Sequence, residues 1–189
     1  MRRRLSRQRL LVRWAWIVGG AVLVLAVVLD RTGMLLVDQP DDSSRFHGAS
    51  AAVSRVIDAD VIEIDMPDET ANRPVTRVRL WGLTAPKTAR GDRPGDPLGE
   101  AARDATAAYL DSRTVRLHLE SHRPRGGLGR VLAHVEVDGR ELTLNEHLLR
   151  RGYARIDDRW PHRLMQRYEQ LEQAARQDGL GLWAEDAPP

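Results

Sequence analysis

The chain has 189 residues, no cysteine and a formal net charge of +2. That length suits one domain plus an appendage, and the missing cysteine excludes disulfides and thiolate metal sites. Six arginines and no acid fall in residues 1–13, which leaves the rest of the chain at −4. The basic pI of 9.5 therefore belongs to the amino end and does not by itself argue for nucleic acid.

The amino end reads as a membrane anchor. Residues 14–29, WAWIVGGAVLVLAVVL, carry no charge. Extending the run back to Leu10, with Arg13 snorkelling to the headgroups, gives about 20 residues (10–29), or roughly 30 Å of helix, enough to cross a bilayer. Trp14 and Trp16 sit where an interfacial aromatic belt would lie. The positive-inside rule puts the basic tail 1–13 in the cytoplasm. This predicts a single-pass protein of the cell membrane whose domain is extracytoplasmic, periplasmic or extracellular. No small-x-small cleavage site follows the apolar run, which favours an uncleaved signal-anchor. Residues 30–50 show no sustained period and hold the loop cluster Pro40 to Ser44, so they read as a linker.

The body follows. Ala51 to Asp58 and Val61 to Met66 are rich in β-branched residues and partly alternate, as strands do. Pro67 to Pro74 is a turn. Val75 to Leu83 reads as a third strand, and Ala85 to Pro97 as a long polar loop. Leu98 to Leu110 has an apolar stripe of helical period. Thr114 to Leu119 alternates as a strand, and Arg123 to Gly129 is a loop rich in Gly and Arg. Arg130 to Val137 is the fifth strand, closed by Asp138-Gly139, a favoured hairpin turn. Leu144 to Arg151 is a helix stopped by Gly152, and Pro161 to Gln177 is a third helix begun by its proline. Five strands and three helices in this order predict an α+β, mainly β, fold: a five-stranded OB-fold barrel with three packed helices, preceded by one transmembrane helix.

Within the body, Val56 to Lys87 holds the densest chemistry. Asp58 and Asp60 end one apolar run, Arg79 sits inside another, and Lys87, the only lysine of the chain, follows Pro86. By pattern alone Asp58 and Asp60 are a solvated strand-to-turn pair, and Arg79 is an outward strand arginine. His118, His134 and His147 have no ligand spacing among themselves.

In order along residues 51–185, VIDADV, VRLWGLTAP, GLGRVLAHVEVDG, NEHLLRRGYA and GLW resemble the staphylococcal-nuclease (thermonuclease) family. The resemblance implies an OB-fold domain. It also implies descent from calcium-dependent endonucleases of DNA and RNA, some of whose relatives bind nucleic acid or protein without cleaving. Position by position, Asp60 matches a calcium ligand and Asp58 the supporting acid before it. Arg79 matches the arginine that donates to the scissile phosphate, and Arg130 the one that stabilises the pentavalent phosphorus. The departures fall on the remaining machinery. Thr84 and Ala85 stand at two further metal-ligand positions, Lys87 stands at the general base, and Leu128 replaces a nucleotide-contacting tyrosine. Trp160 lies near the family's base-stacking tyrosines, where it is either a stacking platform or a helix-start packing residue.

Calcium wants 6–8 oxygen ligands, and here one matching carboxylate remains beside an ammonium that has no lone pair to accept a proton. Arg79 fits a phosphate donor or an ion pair with Asp60 equally well. Three functions stay open. The first is a catalytically impaired, membrane-anchored domain that binds nucleic acid or another anion at the former phosphodiesterase site and needs no cofactor. The second is an active nuclease using Ca2+ outside the cytoplasm, with Glu63, Asp65, Asp92, Asp96 or Glu100 replacing the lost acids. The third is a cell-envelope module that binds a protein partner.

Overall fold

The computed structural model describes residues 41–185. Five strands close into a barrel: β1 (Ser50–Asp58), β2 (Val61–Ile64), β3 (Thr76–Leu80), β5 (Thr114–His118) and β6 (Val131–Val137), paired in the order β1-β2-β3-β6-β5. β3 and β6 run parallel and β1 closes on β5, so the barrel leaves no free sheet edge. The alternation read in the sequence sets the inward faces: Thr76, Val78 and Leu80 of β3 are buried, while Arg77 and Arg79 lie on the other face. The core combines Ile62, Ile64, Leu80 and Leu117 of the barrel with Leu148, Leu149 and Tyr168 of the helices.

Three helices pack on this barrel: α2 (Gly99–Leu110), α3 (Leu144–Arg150) and α4 (Met165–Gln177). A short helix, α1 (Asp42–Phe46), precedes them, and its Phe46 is fully buried in the core. The Thr143 hydroxyl accepts from the Glu146 N–H while Glu146 accepts from the Thr143 N–H, a capping box that fixes the start of α3. Asn145 in the first turn of α3 donates to the Trp81 carbonyl at 3.0 Å and accepts from the Val135 N–H at 2.9 Å, tying that helix to β3 and β6.

Besides α1, which falls in residues read as linker, the structure departs from the sequence reading in four places. The third strand does not run through to Leu83. It ends at Leu80, because Gly82 takes φ +73, and the chain resumes as β4 (Leu83–Thr84), which pairs with β7 (Arg155–Ile156) in a separate small sheet. Asp138-Gly139 turns the chain, but into α3 and not into another strand. The last helix starts at Met165, four residues after its proline.

The fourth correction concerns the membrane. Among the described residues no helix is long and apolar enough to cross a bilayer. The longest, α4, has 13 residues, about 20 Å of rise against a hydrocarbon core of about 30 Å. The expected signal-anchor at 14–29, like the tail 1–13, lies outside the described residues. The described fold thus gives no support to the reading of the chain as a single-pass membrane protein with an extracytoplasmic domain, or to the membrane as a partner, and neither is carried further.

Candidate anion-binding site

The site is built where β1 turns into β2. The tight turn places Ala59 and Asp60 inside, both fully buried. Two contacts hold it: the Leu80 N–H donates to the Asp60 carbonyl at 2.9 Å, and the Thr106 hydroxyl of α2 donates to the Ala59 carbonyl at 3.1 Å. A buried carboxylate needs a positive partner, and Asp60 has two. The Lys87 ammonium sits 2.5 Å from Oδ1, and a guanidinium nitrogen of Arg79 lies 3.5 Å from Oδ2. The second is an ion-pair distance without a hydrogen bond, since Oδ2 accepts none.

Lys87 is held from its backbone. Its N–H donates to the Asp96 carboxylate at 2.8 Å, and its carbonyl accepts from the Asp96 N–H at 2.8 Å. Gly99 at the start of α2 passes so close that a Cβ there would stand 2.2 Å from the Lys87 carbonyl oxygen. Loop 85–97 is thereby clamped with its ammonium turned onto Asp60.

Asp58 is engaged elsewhere. It accepts from the Thr88 hydroxyl at 2.9 Å and from Arg90 at 2.9 Å. Thr84 is exposed in β4, opposite Arg155, and Ala85 is buried. Of the acids offered as replacement ligands, three are committed: Glu63 accepts from Arg77 at 2.8 Å, Asp96 holds the Lys87 backbone, and Glu100 pairs with Arg103 at 2.7 Å. Among the described residues no group of three or more acids and histidines could hold a metal ion. The donor set around Asp60 does not fit calcium, because an ammonium already occupies the near side of its carboxylate.

Arg130 is a second kind of cation in the site. It follows a 3-10 turn, Gly127–Gly129. Its Nε is buried without a partner, and among the described residues it has no ion pair. Burial first, and the charge of Arg79 second, hold its pKa below the ordinary guanidinium value. Leu128, in the middle of that turn, takes φ +65 and is 86 % exposed, a conformation that costs a non-glycine residue about 1–3 kcal/mol.

Arg79, Gly82, Arg123, Arg130, Asp157 and Trp160 line a cavity of about 340 Å3. Its one carboxylate, Asp157, is gripped by Arg159 at 2.5 Å. Trp160 is 47 % exposed, and the Arg123 guanidinium lies 3.8 Å over its ring. It thus stands at the wall of the cavity, outside the core. The structure brings Asp60, Arg79 and Lys87 into contact and lets Arg79, Arg130 and Trp160 share a wall, while Asp58 turns to Thr88 and Arg90. Sequence reasoning missed Thr88, Arg90 and Gly99. Thr88 and Arg90 lie about thirty residues from Asp58, too far for any local pattern, and Gly99 carried only the signal of a glycine at a helix start.

Fold and site together define a nuclease-like OB-fold domain without a metal-binding cluster among its described residues. Residues 77–185, more than half of the chain, match the family described as Staphylococcal nuclease homologue, and the chain belongs to that family. It is 32 % identical over 170 residues to the thermonuclease of Staphylococcus intermedius, covering 87 % of this chain and 95 % of that one. It is also 28 % identical to two Bacillus subtilis proteins. The SPbeta prophage-derived endonuclease YokF aligns over 71 % of this chain and 44 % of its own length, and the endonuclease YncB over 77 % and 66 %.

Proposed function

We propose that this domain binds phosphate esters of nucleic acid in the arginine-lined cavity and does not hydrolyse them. The observation that carries the reading is the Lys87–Asp60 pair beside an unpartnered Arg130. Hydrolysis needs a group to take a proton from water and cations to stabilise the developing charge. The ammonium cannot take a proton from water, and its charge is spent on the Asp60 carboxylate. The charge left over is positive, from Arg79, Arg123 and Arg130, and guanidinium groups suit phosphate oxygens. Trp160 offers a face for a base.

Two Bacillus subtilis relatives are described as endonucleases. Cleavage is the activity that the Lys87–Asp60 pair speaks against in this chain. The test is to incubate the full chain with labelled single-stranded DNA, with and without calcium. Salt-sensitive binding with intact DNA is the expected result. Cleavage by the wild-type chain above background overturns the reading.

A further inference from the structure

A second groove adjoins the first cavity and shares Arg130 with it. It measures about 620 Å3 and runs past the end of β1, the outer face of β3 and the start of α2. Six arginines line it, Arg55, Arg73, Arg77, Arg90, Arg103 and Arg130, against one carboxylate, Asp58. Three are neutralised: Arg77 by Glu63, Arg90 by Asp58 and Arg103 by Glu100. Arg55, Arg73 and Arg130 have no carboxylate partner among the described residues. Arg55 and Arg73 are exposed, so their charge is available to a ligand. Such a concentration is unusual on a domain whose overall charge is close to neutral, and it does not follow from the amino-terminal arginines.

The lining contains no aromatic residue, unlike the Trp160 wall of the first cavity. A groove with guanidinium groups and no stacking platform recognises charge and backbone and reads no base. Arg130 lines both grooves, and Leu128, which lines the second, is strongly exposed.

We infer that the second groove is a separate phosphate subsite for the same strand. Single-stranded nucleic acid passes over Arg130, with one stretch of backbone in the Trp160 cavity and the next against Arg55 and Arg73. This rests on the nucleic-acid reading of the first cavity and extends it: the ligand is a strand of several nucleotides, and a lone nucleotide fills only part of the surface. Arg130, which lines both grooves, is the shared contact.

The test measures binding of the full chain to a thymidine dinucleotide and to a strand of about twelve thymidines across a salt series. The longer strand should bind more tightly and with a steeper dependence on salt. Arg55→Gln with Arg73→Gln should lower the slope for the longer strand by about 1.4, two phosphates at about 0.7 each, and leave the dinucleotide unchanged. Arg55→Lys with Arg73→Lys should keep most of the slope, which separates loss of charge from loss of fold. Equal slopes for wild type and the glutamine variant overturn the inference. So does a polyglutamate chain of matched charge that binds as tightly and loses as much, since the groove then takes acidic polypeptide. A dinucleotide that fails to bind, while the longer strand binds through Arg55 and Arg73, sinks the reading of the first cavity and keeps the second groove.

Discussion

Replacing Lys87 by alanine asks whether the ammonium is the counter-ion of the site. The change leaves the Asp60 carboxylate, with no exposed surface, facing only Arg79 at 3.5 Å. Breaking a buried pair from one side costs about 3–5 kcal/mol. Lys87 keeps 24 % of its side chain exposed, so water can enter the gap, and the lower end, about 3 kcal/mol, applies. For a domain of this size 1 kcal/mol moves the melting temperature by about 2–4 °C, which gives a drop of about 6–12 °C. Adding Asp60→Asn removes the stranded charge and should recover at least half of that loss. Thermal unfolding at neutral pH, with and without millimolar calcium, reads all of this. The wild-type Tm should ignore calcium. Lys87→Glu with Thr84→Asp should become calcium-sensitive, gaining about 2.7 kcal/mol at a hundred times its Kd. A Lys87→Ala chain that melts with the wild type, or a wild-type chain stabilised by calcium, would refute the argument.

Four further outcomes are expected. Gly99→Ala drives a Cβ toward the Lys87 carbonyl, within 2.2 Å of it, and should cost about 1–3 kcal/mol in denaturant unfolding. Thr143→Ala removes the hydroxyl that caps α3 and should cost about 1 kcal/mol in the same measurement. Trp160→Ala should weaken binding of a thymidine dinucleotide by about 1–3 kcal/mol, read by titration, if the exposed ring stacks on a base. His134 bonds to the Tyr168 hydroxyl at 2.7 Å and to Glu120 at 3.2 Å. Burial first, and its neighbour His162 second, push its pKa from 6.5 down to about 4. The unfolded chain binds more protons between those values, so the stability from a neutral His134 is whole above about pH 6.5 and falls toward pH 4, by about 3 kcal/mol in all. His134→Gln should flatten the fall of Tm across that range, and an unchanged slope counts against the assignment.

The barrel was legible because its strands alternate and its turns are marked. The runs ending at Asp58 and beginning at Val61 gave β1 and β2 nearly to the residue. Gly82 was the hidden break: the apolar pattern of VRLWGL continues through it, and only its positive φ separates β3 from β4. The short helix α1 has 5 residues, too few for a helical period to show. At the site, the motif positions of Asp60, Arg79 and Arg130 could be named in advance, and so could the opposition of Lys87 to Asp60. What could not be read was the engagement of Asp58 by Thr88 and Arg90, or the crowding of six arginines from six separate segments into one groove. Both are products of tertiary folding, with no local spacing to announce them. The amino-terminal anchor was read from an uncharged run, its tryptophans and its basic flank, and no helix among the described residues is long and apolar enough to play that part.

The side chain of Arg125 joins parts of the molecule that the barrel strands leave separate. It bonds to both carboxylate oxygens of Asp42 in α1, to both of Asp68 in the β2–β3 turn, and to the Gly129 carbonyl just before Arg130. Hydrogen bonds from Asp42 first, and Asp68 second, raise its already high pKa further, so this link keeps its charge. The consequence is mechanical. One guanidinium ties α1, the β2–β3 turn and the loop before β6 together, alongside the Arg45–Glu69 pair and the buried Phe46 that also hold α1 in place. Arg125→Ala should uncouple that loop from α1, loosening the loop's hold on phosphate while the barrel stays intact. The placement of the loop that carries Arg123 and Arg130 is thus set in part from α1, through one shared rivet.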